Sequence, residues 1–463
     1  MKSNELYDLV GIGIGPFNLS LAALSNNTNL KTLFLEKKDK FNWHPGLLIE
    51  GTTLQVPFMC DLVTMADPSH PLSFLNYLHK QDRLYRFYFR EEFLIPRKEY
   101  NHYCQWASQQ LPQCKFGYEV IDISIIDNNG EKYYQVHYSD NISKKYHVVM
   151  AKNIALGIGS VPALPKVVSE IIFDNKNSIF HSSEFLNKKS SIIPNNKNKQ
   201  IVTVLGSGQS AGEIYYDLLQ NQRLDDEDGD EYSLRWLTRG NGFFPMEYSK
   251  LGLEHFTPDY QAYFHALPQT KKDNIISKQD LLYKGMSSIL IANIYDLLYE
   301  REVLNQPADS FLLALSELKE ITINTSGPRY SLTFEHRQDE KKFTIETDIL
   351  ICSTGYNHQL PPFIAGINDD INWDISTGKK RFKIDKKYRL KTSSNIGSIY
   401  IQNGELHTHG IGAPDLGLGA HRSAVIINDL LKTDYYKIND KNSFLNFGSS
   451  SSKAIKKDCS HDS

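Results

Sequence analysis

One rhythm of apolar and polar positions occurs twice along the chain. LYDLVGIGIG is a run of apolar residues closed by glycines; it leads into PFNLSLAALSNN, whose apolar positions recur at helical spacing, and LKTLFLEK then reads as a second buried strand. The order returns with QIVTVLGSGQS, AGEIYYDLLQ and SLRWLTR. Nearly continuous apolar strands alternating with helices predict parallel sheets covered on both faces. Strand, glycine turn, helix and strand, used twice, predict an α/β chain with two Rossmann-like dinucleotide-binding domains. Between them, residues 72–112 read as helical and rich in Tyr and Phe, and FGYEVIDISII and YYQVHYS read as strands. NKKSSIIPNNKNKQ reads as a linker, the acidic NQRLDDEDGDEYS as a solvated surface loop, and GSSSSKAIKKDCSHDS as a mobile tail.

The two turns differ in their chemistry. In the first, Gly11 precedes Gly13, Gly15, Pro16 and Asn18. Gly13 permits the tight turn, and Gly15 lets backbone approach a pyrophosphate at a helix N-terminus, where N–H groups and the helix dipole favour anions. Asn18 stands where a third glycine is usual. Glu36 ends the next strand, where an acid accepts ribose hydroxyls. In the second turn, Gly206, Ser207, Gly208, Gln209 and Ser210 open a helix, and the following strand ends in Arg239 rather than an acid. A carboxylate there would repel a 2′-phosphate and an arginine pairs with it, so this unit is expected to prefer NADPH to NADH. Two dinucleotides imply hydride transfer from NADPH to FAD.

Composition narrows the class. Of 463 residues, 40% are hydrophobic and 11% aromatic, and the net charge of −3 gives no reason to expect nucleic acid or an anionic membrane as partner. Five cysteines without CxxC pairing suggest neither a disulfide framework, nor a zinc site, nor the redox pair of a disulfide reductase, so no metal is expected. What remains is an oxidase-like or oxygenating flavoenzyme. Without a long apolar segment or a signal-like N-terminus, the expected location is cytoplasmic.

GIGIGPFNLSLAAL, FNWHPGLL, LQVPFMCDLVTMADPSHPLSFLNYL, LGSGQSAGEI and DILICSTGY, in that order, resemble the N-hydroxylating flavin monooxygenases of siderophore biosynthesis, the lysine and ornithine N-monooxygenases. The resemblance runs from about residue 7 to about residue 430. It implies that Asn at the third turn position belongs to an FAD site. It also implies FAD roles for the segment from Glu36 to Trp43 and His44, for Gln55, for a backbone contact at Val120, for Gly355 beside Tyr356, and for Asp415, Leu416 and Gly417. Arg97 would join the second turn and Arg239 in holding NADPH. It implies a homotetramer as well, and a three-part layout. FAD would be bound by residues 1–190 and 335–440, NADPH by 198–334 including a helical substrate region at about 245–330, and 441–463 would be a mobile tail.

The reaction so implied is reduction of FAD by NADPH, addition of O₂ to give a C4a-hydroperoxyflavin, and transfer of its distal oxygen to a primary amine. No side chain need be a nucleophile. An alkylamine with a pKa near 10.4 lies about three units from neutral at pH 7.5, about 4 kcal/mol, so a desolvated site favouring the free base is expected. Amino-acid hydroxylases of the family carry a lysine five residues after the glutamine, to bind the substrate carboxylate; here the run from Gln55 ends in Cys60. The asparagines that help hold an amino acid read Leu253 and Leu282, and the usual serine of the closing loop is displaced by Gly419. Such a pocket implies a substrate without a carboxylate, a diamine such as putrescine or cadaverine, since an unpaired buried carboxylate costs several kcal/mol. Glu254, Tyr248 and Asp259 are candidates for the diamine's second, cationic end. Alternatives are an L-lysine N6-hydroxylase (or an ornithine or histamine hydroxylase) with Lys284 supplying the charge, a Baeyer–Villiger-type enzyme suggested by FHSSE, and an FAD- and NADPH-binding redox sensor that oxygenates nothing.

Overall fold

The protein is described from a computed structural model, and the structure describes residues 5–448 except 129, 193–198, 223–231, 304–307 and 395. Residues 223–231 of the acidic stretch and residues 449–463 of the polar tail therefore lie outside the described residues.

The first sheet has seven strands. Cys114–Phe116, Thr32–Glu36, Leu6–Ile12 and Tyr146–Leu156 run parallel in that order, and Ile399–Ile401 also joins Tyr146–Leu156 in parallel. Glu131–Asp140 and Tyr118–Asn128 extend the sheet as an antiparallel meander. The register Gly11↔Phe34, Ile12↔Leu35 delivers the first glycine turn and Glu36 to the same sheet end. Helix Pro16–Ser25 is buried along its whole length, because it packs between the sheet and helix Gly419–Leu431. That explains why LSLAAL carries hardly a polar face.

The second sheet is parallel throughout, in the order Ile179–His181, Ile349–Cys352, Gln200–Leu205, Tyr232–Leu237, Ser310–Leu313. An antiparallel sheet of Ser316–Ile323, Tyr330–His336 and Lys342–Thr347 follows it. The expected boundaries shift accordingly. Residues 179–181 and 349–352, assigned to the FAD part, are strands of the second sheet, and the region expected to be helical to about 330 turns to strand at Ser310. The linker begins as helix, Phe185–Ile192. Residues 441–448, expected to belong to a mobile tail, are held instead: the amides of Asn442, Phe444 and Leu445 donate to Asp259 and Glu254, and the Phe447 ring lies 5.0 Å from Tyr260.

Trp236 shows how one core residue sets the second turn. It is 1% exposed, stacks on Tyr215 at 4.5 Å, and its indole N–H donates to Gly206 O. A buried indole finds its partner in the turn itself.

Candidate active site

The residues that follow the carboxyl ends of the parallel strands of both sheets line one cavity of about 3920 Å³, the position where open α/β sheets bind ligands. Gly13, Glu36 and Gly157 enter it from the first sheet, and Gly206, Thr238 and Ser353 from the second.

Gly13 has φ +82°, and a Cβ there would lie 2.6 Å from Gly157 O, so only glycine fits. Gly15 differs: its φ is −84°, and a Cβ would meet no protein atom within 4 Å. Its bare face therefore opens into the cavity at the start of a helix with Pro16 in its first turn, which suits a pyrophosphate. Glu36 accepts from Ile14 N at 2.8 Å and Lys38 N at 3.0 Å, holding its carboxylate beside the turn. Trp43 and His44 line the wall, their rings 4.7 Å apart, and Tyr356 lies 5.7 Å from His44. Burial, with Arg97 adding to it, pushes His44 down to about 4, so the imidazole is neutral. The buried Tyr356 hydroxyl has no hydrogen-bond partner among the described residues, and Gly355 beside it has φ +82° with open space in front. These features fit an FAD.

The second turn repeats the logic. Gly206 has φ +131°, and a Cβ on it would strike Ser353 O at 2.2 Å, whereas a Cβ on Gly208 would find only Lys284 O at 3.8 Å. Ser207, Gln209, Ser210 and the exposed Arg239 line the cavity, and Thr238 Oγ1 donates to Ser207 Oγ at 3.1 Å. Arg337, from the antiparallel sheet, also lines it and donates to Arg239 O at 3.1 Å. No local motif marks Arg337; the strand pairing brings it there. An open helix start flanked by two arginines fits a phosphorylated dinucleotide.

Where the two halves meet, Gln55 Nε2 donates to Gln209 Oε1 at 3.2 Å, and Tyr248 Oη donates to Gln55 O at 2.9 Å. Beyond Gln55 stand Cys60, Tyr248, Leu253, Leu282 and the loop Asp415, Leu416, Gly417. Burial raises the Cys60 thiol, and the carboxylates of Asp415 and Asp61 raise it further. Burial pushes the Asp415 carboxyl up to about 6 against the Gly417 N–H, which donates to its Oδ1 at 2.6 Å, and against the more distant Arg422. Lys284, the alternative source of positive charge, is bound to Asp280 at 2.8 Å.

Several expected contacts fall elsewhere. Gly11 does not line the cavity; it is a packing glycine, and a Cβ there would lie 2.1 Å from the Phe34 ring. Asn18 is fully buried, its amide donating to Gly13 O at 2.8 Å, Ile12 O at 3.2 Å and Ala155 O at 3.3 Å while Gln402 donates to its Oδ1. It staples the turn to two strands, which is how a third glycine is dispensed with. Val120 sits in the apolar core behind the sheet. Glu254 receives the C-terminal segment, Asp259 receives Asn442 N, and a Cβ on Gly419 would lie 3.3 Å from the Phe17 ring, so it is a packing glycine. Arg97 lines the cavity, but its guanidinium is committed to Glu213 at 2.6 and 2.8 Å and to Leu47 O at 3.1 Å, joining the two halves rather than standing open to a phosphate.

Fold and cavity together define an oxidoreductase with two dinucleotide sites. The chain belongs to the L-lysine 6-monooxygenase/L-ornithine 5-monooxygenase family, which matches residues 5–358, and is a flavin-dependent N-monooxygenase. A rhizobactin siderophore biosynthesis protein of Rhizobium meliloti is 44% identical over 98% of both chains. A putrescine N-hydroxylase of Shewanella oneidensis is 42% identical over 96% of this chain and 84% of its own. Among solved structures, the FAD-bound cadaverine monooxygenase of the desferrioxamine pathway of Erwinia amylovora matches with a TM-score of 0.89 at 38% identity, covering 96% of this chain and 99% of its own. Among the described residues no helix is long and apolar enough to cross a membrane, and no group of three or more His, Cys, Asp and Glu could hold a metal ion.

Proposed function

We propose that this protein N-hydroxylates one end of an aliphatic diamine, putrescine or cadaverine, with FAD, NADPH and O₂, yielding a hydroxylamine for a hydroxamate siderophore. FAD would be held by Gly13, Gly15, Pro16, Glu36, Trp43, His44, Gln55 and Gly355, and NADPH by the turn from Ser207 to Ser210 with Arg239 and Arg337. Bound there, the two groups supply hydride transfer and oxygen activation. The chain binds the amine, orients it and keeps water out. The neutral His44 packs between Trp43 and Tyr356 as part of the wall.

One observation carries the choice of amine: Cys60 stands where a carboxylate-binding lysine would, and the two charged side chains that raise its thiol, Asp415 and Asp61, are both acids. An amino acid placed there would bring its own carboxylate to acidic surroundings, whereas a diamine brings a cation. The putrescine and cadaverine enzymes among the relatives support this reading. It is tested by comparing kcat/KM for putrescine, cadaverine, lysine, ornithine and histamine with the FAD-loaded enzyme and NADPH. Putrescine or cadaverine is expected to exceed lysine by about a hundredfold, the penalty of an unpaired carboxylate; lysine turning over faster than both refutes it. We further infer a cytoplasmic homotetramer, for which the exposed rings of Tyr85, Tyr88, Phe89 and Phe93 offer a surface to cover.

A further inference from the structure

We propose that Asp415 is the counter-ion of the diamine's far ammonium, and so the residue that selects a second positive charge; this rests on the diamine reading above.

The cavity is lined by eight acids, and their partners decide among them. Five already carry a cation: Glu50 with Lys98, Glu213 with Arg97, Asp217 with Lys189, Asp280 with Lys284, and Glu317 with Lys319. Glu36 is filled by two backbone amides beside the first turn. Glu92 is exposed, where an ion pair is worth little. That leaves Asp415, which is half-buried, has a carboxyl pushed up by desolvation and has no ion pair among the described residues.

Its geometry is prepared for a cation. Gly417 N–H fixes Oδ1 at 2.6 Å, and no described residue bonds Oδ2. A point beside Gly417 lies 2.8 Å from Asp415 Oδ1 and 3.1 Å from Cys60 Sγ, so the acid occupies the subsite that Cys60 borders. The Tyr248 phenol, raised to about 12 by burial and by Asp415, is near enough to feel that charge, and its hydroxyl is spent on Gln55 O. Its ring is left as a second surface for an ammonium. The loop is held from behind: Arg422, fully buried, donates to Ala413 O at 2.6 Å and is clamped by the equally buried Glu405 at 2.8 Å. A desolvated carboxylate without a cation is an unfavourable arrangement that an entering ammonium relieves and an entering α-carboxylate worsens. One residue thereby favours diamines and rejects amino acids.

The test uses the FAD-loaded enzyme with NADPH. D415N keeps the shape and an oxygen for Gly417 N–H but removes the charge. The preference for putrescine over butylamine, taken as the ratio of kcat/KM values, is expected to fall roughly 30-fold or more, as when one partner of a buried charge pair is lost. Calorimetric affinity of the oxidised holoenzyme for putrescine should fall in step, and D415E should keep part of the preference. Flavin content verifies that each variant is folded. Equal losses for putrescine and butylamine, or wild-type putrescine affinity in D415N, overturn the proposal. Wild-type enzyme preferring lysine instead refutes the diamine reading itself, an outcome separable from any result with D415N.

Discussion

Gln55 and Gln209 meet side chain to side chain, one from strand Thr53–Pro57 and the other from the first helical position after the second dinucleotide turn. Gln209 continues the chain of bonds, accepting from Ser287 N at 2.8 Å and donating to Glu213 Oε1 at 2.8 Å, and Glu213 is paired with Arg97. A polar relay thus ties the first-turn half of the cavity to the second. Losing one such bond weakens it by about 1 kcal/mol, roughly fivefold in rate. Q209L is therefore expected to slow flavin reduction by NADPH about fivefold in stopped flow while leaving FAD content at the wild-type level.

The first turn makes two neighbouring glycines behave differently. G15A meets no protein atom and needs no unusual φ, so its unfolding free energy should stay within about 0.5 kcal/mol of wild type. Its methyl group fills the cradle, and the protein should purify with little flavin. G13A must adopt φ +82° against Gly157 O and should lose about 2 kcal/mol or more in urea melts.

Arg239 and Arg337 both line the second-turn side of the cavity, where a 2′-phosphate would lie. Charge-assisted hydrogen bonds are worth about 1.5–3 kcal/mol each. R239A should raise KM for NADPH roughly tenfold or more with little change for NADH, retaining some preference. Only the double variant with R337A should make the two nucleotides equivalent in steady-state assays.

The Asp415 carboxyl titrates near 6, above its ordinary 3.8, with Cys60, Tyr248, Arg422 and Gly417 N–H around it. The folded protein therefore holds this proton more tightly than the unfolded chain does. The stability so contributed is complete below pH 3.8 and is lost as pH rises through about 6. D415N should be the more stable protein above about pH 6 and gain nothing below about 4 by denaturant titration. In kinetics, kcat/KM for putrescine should show an extra acidic limb near 6 that butylamine lacks.

Both glycine turns were legible because they are local: an apolar strand, a position requiring positive φ, and a helix start lie within a dozen residues. Asn18 was not, since its partners Ala155 and Gln402 are 137 and 384 positions away, and its residue type says nothing of them. Arg337 arrives through strand pairing, and Glu254 and Asp259 are taken up by a C-terminal segment whose composition suggested mobility. The domain boundaries moved for the same reason, because Ile179–His181 pairs with Ile349–Cys352 across most of a domain. Patterning within a window reveals an element, whereas long-range pairing decides what its side chains meet.

The central claim is that acids, not a base, define the amine pocket. Purified enzyme loaded with FAD and given NADPH, isotopically labelled dioxygen and equimolar putrescine, cadaverine and lysine in one vessel tests it most directly, with products identified by mass. The expected product is a mono-N-hydroxylated diamine carrying one labelled oxygen, with hardly any hydroxylysine. N6-hydroxylysine as the main product would contradict it.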